Sequence, residues 1–294
     1  MIINRYETTK VDRIKRILME KYIPTHLKMR YLEAKYLNKT KHEWSNLDKK
    51  KVPKCIQIET INRCNGECPF CPVNRYSDKR KFAKMSDNLF KKIVDELSDI
   101  KYEGMLALFS NNEPLLDKRL VEFSKYAREK LPSAYIYIFT NGTLIDLNIV
   151  KTLANYMNEI VIDNYNDELE LNDNIKEIDE ACKKDKGLDE IVRIHLRKIN
   201  ETLNSRGGQS PNYVKHPSRK APCLLPFNQM IIRPDGKVSL CCNDALGTMT
   251  LGDVNEQNIL DVWNSNEYQK IRSIVLNDIK KIDICKECDA FYEY

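Results

Sequence analysis

The sequence predicts an α/β protein: a truncated, partial β/α barrel of about five parallel strands and four helices, with a helical extension before it and a small α+β domain after it. Three observations support this prediction. Strand and helix patterns alternate from residue 53 to residue 197, as in a parallel sheet with helical crossovers. Cysteines cluster twice along the 294 residues, and positive charge is concentrated at the N-terminus. The predicted domains are 1–52, 53–208 and 209–294.

The N-terminal segment is basic. Residues 1–54 contain 15 Lys and Arg against 6 Asp and Glu, a net charge of +9, whereas the whole chain carries +5. Apolar residues recur at helical spacing on both sides of Pro24, which predicts two short amphipathic helices. These apolar residues are Val11, Ile14, Leu18, Met29, Leu32, Tyr36 and Leu37. We expect the helices to pack against the main domain; contact with a membrane surface is the weaker alternative, and no nucleic acid is expected.

The apolar runs of the chain are short. None approaches the roughly 18 apolar residues of a membrane helix, and residues 1–15 lack the apolar core of a signal peptide. We therefore expect a cytoplasmic protein. Ten cysteines in a reducing compartment favour metal ligation or redox chemistry over disulfides. Cys55 and Cys182 are expected to be core thiols.

The barrel elements alternate regularly along the chain. The predicted strands are 54–60, 105–110, 134–140, 159–163 and 189–197, and the predicted helices are 88–100, 117–130, 144–157 and 168–184. In a sheet of this kind, the chemistry lies at the carboxyl ends of the strands.

A compact cysteine motif, Cys64, Cys68 and Cys71, follows the first strand. Three thiolates from one loop can hold three corners of an iron–sulfur cubane and leave the fourth iron open for a ligand. A structural zinc ion prefers four protein ligands, so zinc would need a distant histidine. The histidines of the chain are His26, His42, His195 and His216, and none adjoins the loop. The motif therefore favours a cluster with an open iron.

This motif resembles the CxxxCxΦC signature of radical S-adenosylmethionine (AdoMet) enzymes, with Phe70 at the aromatic position. The resemblance implies that the open iron of a 4Fe–4S cluster chelates AdoMet. It also implies that the reduced cluster cleaves AdoMet to a 5′-deoxyadenosyl radical, which abstracts hydrogen from the substrate. Phe70 is then expected near the adenine.

Two further strand ends carry motifs similar to those of the same family. The second strand is followed by Asn111, Asn112, Glu113 and Pro114, similar to the Gly-Gly-Glu-Pro segment that binds the AdoMet amine. Asn replaces both glycines, and we expect it to keep the turn because Asn tolerates left-handed backbone. The third strand ends in Thr140, Asn141 and Gly142, similar to the segment that the family places beside the ribose.

The C-terminal third holds a second cysteine set: Cys223, Cys241, Cys285 and Cys288, with Cys242 beside Cys241. A predicted β-hairpin turns at Pro234-Asp235-Gly236 between them. This segment resembles the SPASM/twitch domain, and four spaced cysteines fit its twitch version, which holds one auxiliary 4Fe–4S cluster. A four-cysteine zinc ribbon is the alternative. Such a site is closed, so the implied role is electron transfer or ordering of the substrate cavity.

The last predicted strand alternates polar and apolar residues. Arg193, His195 and Arg197 share one face, and a polar interior face predicts a cavity for ligands. We assign His195 to catalysis and Arg193 to cofactor binding. In the polar segment 204–208, Arg206 is the preferred substrate residue. Asp163 and Tyr165 are weaker candidates.

The whole pattern resembles the small twitch-type radical AdoMet dehydrogenases that act on an aminocyclitol or sugar alcohol. The resemblance implies that hydrogen is removed from a carbinol carbon, a base takes the hydroxyl proton, and an electron passes to the auxiliary cluster, leaving a ketone. A flavodoxin- or ferredoxin-like protein would supply the reducing electron. Three alternatives stay open: an epimerase in which Cys242 returns hydrogen, radical modification of a peptide and, least favoured, a non-enzymatic metal-stabilised adaptor that binds nucleic acid through the basic segment.

Overall fold

The computed structural model describes residues 1–4, 6, 22–46, 51–214 and 219–291. The first predicted N-terminal helix, with Val11, Ile14 and Leu18, lies outside the described residues, as does His216. The elements below therefore belong to the described part of the chain.

One nine-stranded sheet forms the frame of this structure. Its strands are β1 (Ile2–Asn4), β2 (Cys55–Ile58), β3 (Met105–Ala107), β4 (Tyr135–Thr140), β5 (Glu159–Tyr165), β6 (Val192–Arg197), β7 (Gln229–Ile232), β8 (Lys237–Ser239) and β9 (Thr250–Asp253). The order across the sheet is β1-β6-β5-β4-β3-β2-β7-β8-β9. The neighbours from β1 to β7 pair in parallel, and the last two pairs are antiparallel. The predicted fold class is confirmed, with the five predicted barrel strands as β2 to β6.

A further strand joins the barrel sheet at each edge. At one edge β1 pairs with β6, so that Ile3 lies opposite His195. At the other edge β7 pairs with β2, so that Met230 lies opposite Ile56. The predicted hairpin is present as β7 and β8. The sequence pattern did not reveal β1 or the pairing of β7 with β2, because a local pattern of residues does not show which distant segment a strand pairs with.

Helices cover one face of the barrel sheet, and further helices belong to the C-terminal region, residues 219–291. They are α1 (Thr25–Lys39), α2 (Lys41–Trp44), α3 (Asp87–Asp99), α4 (Leu120–Lys130), α5 (Leu147–Ala154), α6 (Asp173–Lys184), α7 (Lys186–Ile191), α8 (Leu225–Asn228), α9 (Ile259–Trp263), α10 (Asn266–Asp278) and α11 (Asp283–Lys286). The last barrel strand begins later than predicted because α7 comes first. Asp185 starts α7 by accepting hydrogen bonds from the backbone N–H groups of Gly187 and Leu188.

The core lies between the sheet and these helices. Helix α3 begins where Ser86 accepts a hydrogen bond from Leu89 N, and one face of the helix is apolar. That face buries Phe90, whose ring stacks on Phe123 of α4 with centroids 4.0 Å apart. Each fully buried side chain of this kind contributes roughly 1.5–3 kcal/mol to folding. The packed face fixes the strands, and thereby the positions of their carboxyl ends.

Helix α1 packs on the C-terminal region, residues 219–291. Tyr36 is 1% exposed and contacts a small cluster with Ala221 and Leu224, and its hydroxyl accepts a hydrogen bond from Leu224 N at 3.0 Å. The described part of the basic extension thus packs on the body of the protein, as expected. No helix in the described ranges has the length and apolarity needed to cross a membrane.

Candidate active site and cluster cavities

A cavity of about 230 Å³ opens at the carboxyl ends of the parallel strands. Among the residues predicted to bind the first cluster or AdoMet, those lining it are Cys64, Cys68, Cys71, Phe70, Asn111, Asn112, Glu113, Thr140 and Asn141. Arg206, Asp163 and Tyr165 from the predicted substrate set also line it. Residues more than a hundred positions apart therefore meet in one site, because parallel strands present the same end to one side of the sheet.

The cysteine loop passes close beside its own thiols. Cys64 Sγ accepts a hydrogen bond from Gly66 N at 3.2 Å, and a Cβ atom at position 66 would lie 3.3 Å from Cys64 Sγ and 3.8 Å from Cys68 Sγ. Burial raises the pKa of the Cys64 thiol to about 12 and that of Cys68 to about 11. Iron must therefore displace protons when it binds this loop.

Glu113 joins two of the strand-end motifs. It is 1% exposed; its Oε1 accepts from Leu115 N at 3.0 Å and from Thr140 Oγ1 at 2.8 Å, and its Oε2 accepts from Asn141 N at 2.8 Å. Burial raises the pKa of this carboxyl. The carboxylate thus fixes the ends of β3 and β4 relative to each other.

Asn141 extends the same network to the cysteine loop, since its Nδ2 donates to Asn65 Oδ1 at 2.8 Å. Gly142 follows with φ +76°, and a Cβ there would lie 3.0 Å from Ile162, so this position requires glycine. Gly142 and Pro114 shape the turns and do not line the cavity.

The two asparagines that replace glycine act through their side chains. The expected left-handed backbone is absent: neither Asn111 nor Asn112 is among the described non-glycine residues with positive φ. Asn112 Oδ1 instead accepts from Ser110 N at 2.9 Å, which closes the turn locally. Asn111 Oδ1 accepts a hydrogen bond from the Arg206 guanidinium. The reason given for asparagine in this motif was therefore wrong, although both residues lie in the site.

Arg206 enters the cavity from a strained segment. Its φ is +50°, and Gly207 and Gly208 follow at +63° and +81°. A Cβ at position 207 would lie 2.3 Å from Ile284, so glycine is required there. Left-handed backbone at a non-glycine residue costs about 1–3 kcal/mol and persists where surrounding contacts impose it.

Arg197 is a cavity residue that sequence reasoning placed on the correct strand face but gave no role. Its guanidinium lies over the rings of Phe70 and Tyr165, at 5.6 and 5.2 Å from their centroids. It pairs with Asp163 Oδ2 at 3.2 Å and Glu201 Oε2 at 2.6 Å. A stacked cation beside Phe70 organises the wall where the adenine was expected.

The other polar residues of β6 lie at different depths. His195 is 9% exposed, and its Nδ1 lies 3.2 Å from Asp163 Oδ1. It therefore lies behind the cavity wall, in contact with a residue that lines it. Arg193 is near the amino end of the strand, where it donates to the carbonyl of Asp189 at 2.8 Å. The assignment of Arg193 to the cofactor does not fit this position, because Arg193 does not line the cavity.

A polar floor inside the barrel was not predicted. Ser110 Oγ donates to Gln57 Oε1 at 2.8 Å, and Cys55 Sγ lies 3.6 Å from the Tyr137 hydroxyl. Burial raises the pKa of Cys55 to about 11. Cys55 and Cys182 are buried thiols, as expected. The alternation of β2 and β4 is the signal that could have located these inward polar side chains.

A second cavity is lined by Cys223, Cys241, Cys285 and Cys288. Cys242 does not line it. The sequence placed Cys241 and Cys242 on opposite faces of a strand, but β8 ends at Ser239 and Cys242 lies in the turn that follows. Its backbone N–H donates to Gln229 Oε1 at 3.3 Å. The predicted separation of Cys242 from the other four cysteines thus agrees with the structure. Burial is the main cause that raises the pKa of Cys242 to about 12, and the nearby Arg206 charge opposes it.

The residues present fit the implied cofactors. All ten cysteines are free thiols, divided between the two cavities and the core. Buried donors without partners, Asn112 Nδ2 and Arg206 Nε, belong to residues that line the first cavity and suit ligand oxygens. Among the described residues, no three His, Cys, Asp or Glu side chains converge as ligands of a single metal ion. In a cubane, each cysteine binds a different iron.

The radical SAM superfamily profile matches residues 58–197, and the SPASM profile, an iron–sulfur cluster-binding domain, matches residues 223–289. The chain therefore has a radical SAM domain, followed by a SPASM domain towards its C-terminal end. The first domain holds a 4Fe–4S cluster and AdoMet, and the second holds an auxiliary cluster. The protein is a radical SAM oxidoreductase.

Two related proteins and one solved structure are similar to this chain. The S-adenosyl-L-methionine-dependent 2-deoxy-scyllo-inosamine dehydrogenase of Niallia circulans is 25% identical over 245 residues, which cover 80% of this chain and 92% of the dehydrogenase. The PqqA peptide cyclase of Rhodopseudomonas palustris is 31% identical over 104 residues, which cover 35% of this chain and 26% of the cyclase. The crystal structure of BtrN with AdoMet and 2-DOIA has a TM-score of 0.70 at 24% identity, covering 83% of this chain and 98% of BtrN. This last likeness supports the fold.

Proposed function

We propose that the protein dehydrogenates a secondary alcohol of a small cyclitol or sugar to a ketone, and that an aminocyclitol is its substrate class. The observation that carries this proposal is the position of Arg206. This residue belongs to the segment leading into the second domain, yet its guanidinium contacts Asn111 in the first cavity and its charge acts on Cys242 beside the second. A substrate held by Arg206 lies between the two cluster sites, as an oxidation that uses both of them requires.

When bound, AdoMet and the first cluster would supply a hydrogen-abstracting radical, and the auxiliary cluster would supply an electron acceptor. The residues of the chain bind and orient the substrate. Arg206 Nε is a buried donor without a partner, available to a substrate hydroxyl. Asp163 and His195 Nδ1, 3.2 Å apart, form a pair that can take a hydroxyl proton away from the cavity. Arg197 holds Asp163 in place through its other oxygen.

We assign residues 53–208 to the radical domain and 209–294 to the auxiliary domain, although β7 joins the barrel sheet. A flavodoxin- or ferredoxin-like protein in the cytoplasm supplies the reducing electron, and thiols remain reduced there. The matched segment of the peptide cyclase is a quarter of that enzyme's length, so we propose no peptide substrate.

The test is an anaerobic assay of the reconstituted protein with 2-deoxy-scyllo-inosamine, related cyclitols and sugars, and short peptides. The expected result is substrate-dependent release of 5′-deoxyadenosine with an equal amount of ketone. The variant with Cys64, Cys68 and Cys71 replaced by Ala is the control and releases none. Release that responds only to a peptide, or an inverted alcohol instead of a ketone, would overturn the proposal.

A further inference from the structure

Arg219 is a buried charge in the wall of the four-cysteine cavity. It is 0% exposed, and among the largest fully buried side chains of the described residues only Trp263 ranks above it. It comes directly after the undescribed residues 215–218 and four positions before Cys223. A guanidinium stays protonated in any protein environment, so its charge must be stabilised by its surroundings.

The surroundings of Arg219 supply dipoles and rings. Its Nε donates to the carbonyl of Ala221 at 2.9 Å, Nη1 to that of Ala290 at 2.5 Å and Nη2 to that of Pro222 at 2.5 Å. The guanidinium also lies over the rings of Tyr36 and Phe291, with 4.6 Å to each centroid. These contacts satisfy its hydrogen bonds and fix its orientation.

Among the described residues, Arg219 forms no ion pair with a carboxylate, and its hydrogen bonds given above all go to backbone carbonyl groups. A buried ion without a counter-ion is strongly destabilising. The four cysteines that line the same cavity can balance this charge once they ligate iron as thiolates.

We propose that Arg219 is the buried counter-charge of the auxiliary cluster and raises the reduction potential of that cluster, so that it accepts an electron more readily. A four-iron cluster with four thiolates is anionic and becomes more so on reduction, and net charge and burial are among the factors that set its potential. A fixed cation beside it stabilises the reduced form more than the oxidised form. Because Arg219 is fully buried, water screens its charge little.

Helix α1 holds this cation in place. Tyr36 covers one face of the guanidinium, and Glu33 of the same helix accepts hydrogen bonds from Lys220 N and from Ala221 N. The described helix of the basic extension thus fixes the segment that carries Arg219. In this way helix α1 covers the auxiliary site from outside. This inference concerns the cluster alone and stands whichever substrate the enzyme oxidises.

The experiment measures the midpoint potential of the auxiliary cluster by redox titration followed by electron paramagnetic resonance, without substrate. The background is the variant with Cys64, Cys68 and Cys71 replaced by Ala, so that only the auxiliary cluster contributes a signal. Three substitutions are compared: Arg219→Gln, Arg219→Lys and Lys220→Gln. The last removes an equal charge from an exposed neighbour.

We expect Arg219→Gln to shift the potential to a more negative value, while Arg219→Lys and Lys220→Gln stay at the parent value. An unchanged potential in Arg219→Gln overturns the proposal, as does an equal shift in Arg219→Lys, which would assign the effect to shape. If Arg219→Gln fails to assemble a cluster, Arg219→Lys decides. An Arg219→Lys variant with full iron content and the parent potential supports the role of the charge. Loss of iron from a folded Arg219→Lys variant contradicts that role. Failure of the dehydrogenase proposal would leave this measurement unaffected.

Discussion

The guanidinium of Arg206 donates a hydrogen bond from Nη2 to Oδ1 of Asn111, 95 positions earlier in the chain. Asn111 stands where the related AdoMet-binding motif has glycine, which has no side chain to offer. Its backbone carbonyl is held in turn by Arg80 Nη2 at 2.9 Å. The residue proposed to hold the substrate is therefore anchored directly on the segment expected to hold AdoMet.

Arg206→Ala should reduce substrate oxidation more than AdoMet cleavage without substrate. Loss of hydrogen bonds to a charged group costs about 1.5–3 kcal/mol each, so we expect kcat/KM to fall by about 10²-fold. Steady-state ketone formation and uncoupled deoxyadenosine release measure the two activities. Arg193→Ala, on β6 but outside the cavity, is the matched control and should retain both. Equal loss of both activities in Arg206→Ala would place this residue at AdoMet or in folding.

Asn111→Gly restores the glycine of the related motif and removes the anchor of Arg206. We expect AdoMet binding to persist, because the backbone here needs no left-handed conformation, while KM for the substrate rises about 10-fold from the loss of one charge-assisted hydrogen bond. Isothermal titration of AdoMet and substrate kinetics separate the two effects. A loss of AdoMet affinity with an unchanged substrate KM would refute this role for Asn111.

Gly66→Ala should impair assembly of the first cluster. The added methyl group would meet Cys64 Sγ at 3.3 Å and Cys68 Sγ at 3.8 Å, so the loop must shift where iron binds. Gly187→Ala is the control, since its methyl group would meet only Asp185 Oδ1, at 3.3 Å, and a helical alanine is favourable. Iron and sulfide analysis after reconstitution tests this prediction. Full iron content in Gly66→Ala would show that the loop tolerates the methyl group.

The reconstituted protein should hold about eight iron atoms per chain in two four-iron clusters, and replacing Cys64, Cys68 and Cys71 with Ala should remove about half of them. The triple variant should retain the auxiliary cluster but neither cleave AdoMet nor oxidise substrate, because only the first cluster leaves an iron open. Iron and zinc analysis tests the content. Zinc in the retained half, or AdoMet cleavage by the triple variant, would contradict the assignment of the two sites.

Cys242→Ala should keep most of the activity, because a dehydrogenation needs no hydrogen donor. A substrate deuterated at the reacting carbon, used in D₂O, distinguishes the outcomes. We expect a ketone, with the label transferred to deoxyadenosine. An inverted alcohol that carries solvent deuterium, and that disappears in Cys242→Ala, would make the enzyme an epimerase.

The sequence was sufficient for the features that depend on local spacing. Three cysteines within eight positions of one loop, Cys64 to Cys71, must lie close together wherever the loop is placed. The alternation of strands and helices predicted that Glu113 and Asn141 follow adjacent parallel strands. These features identified the radical site and the fold class, because chain connectivity brings such residues near each other. The second cysteine set extends from Cys223 to Cys288, and its resemblance to the SPASM/twitch domain identified it.

The tertiary structure decided what depends on long-range packing. It moved Arg193 out of the site and brought in Arg197, since the depth of a residue along a strand, and not its face alone, determines whether it reaches the cavity. It joined Arg206 to Asn111 and placed Arg219 between Tyr36 and Phe291, contacts across 72 or more positions that no local pattern encodes. Such contacts form only when separate segments bury their side chains together, so the sequence determined the type of chemistry and the packing determined which side chains serve it.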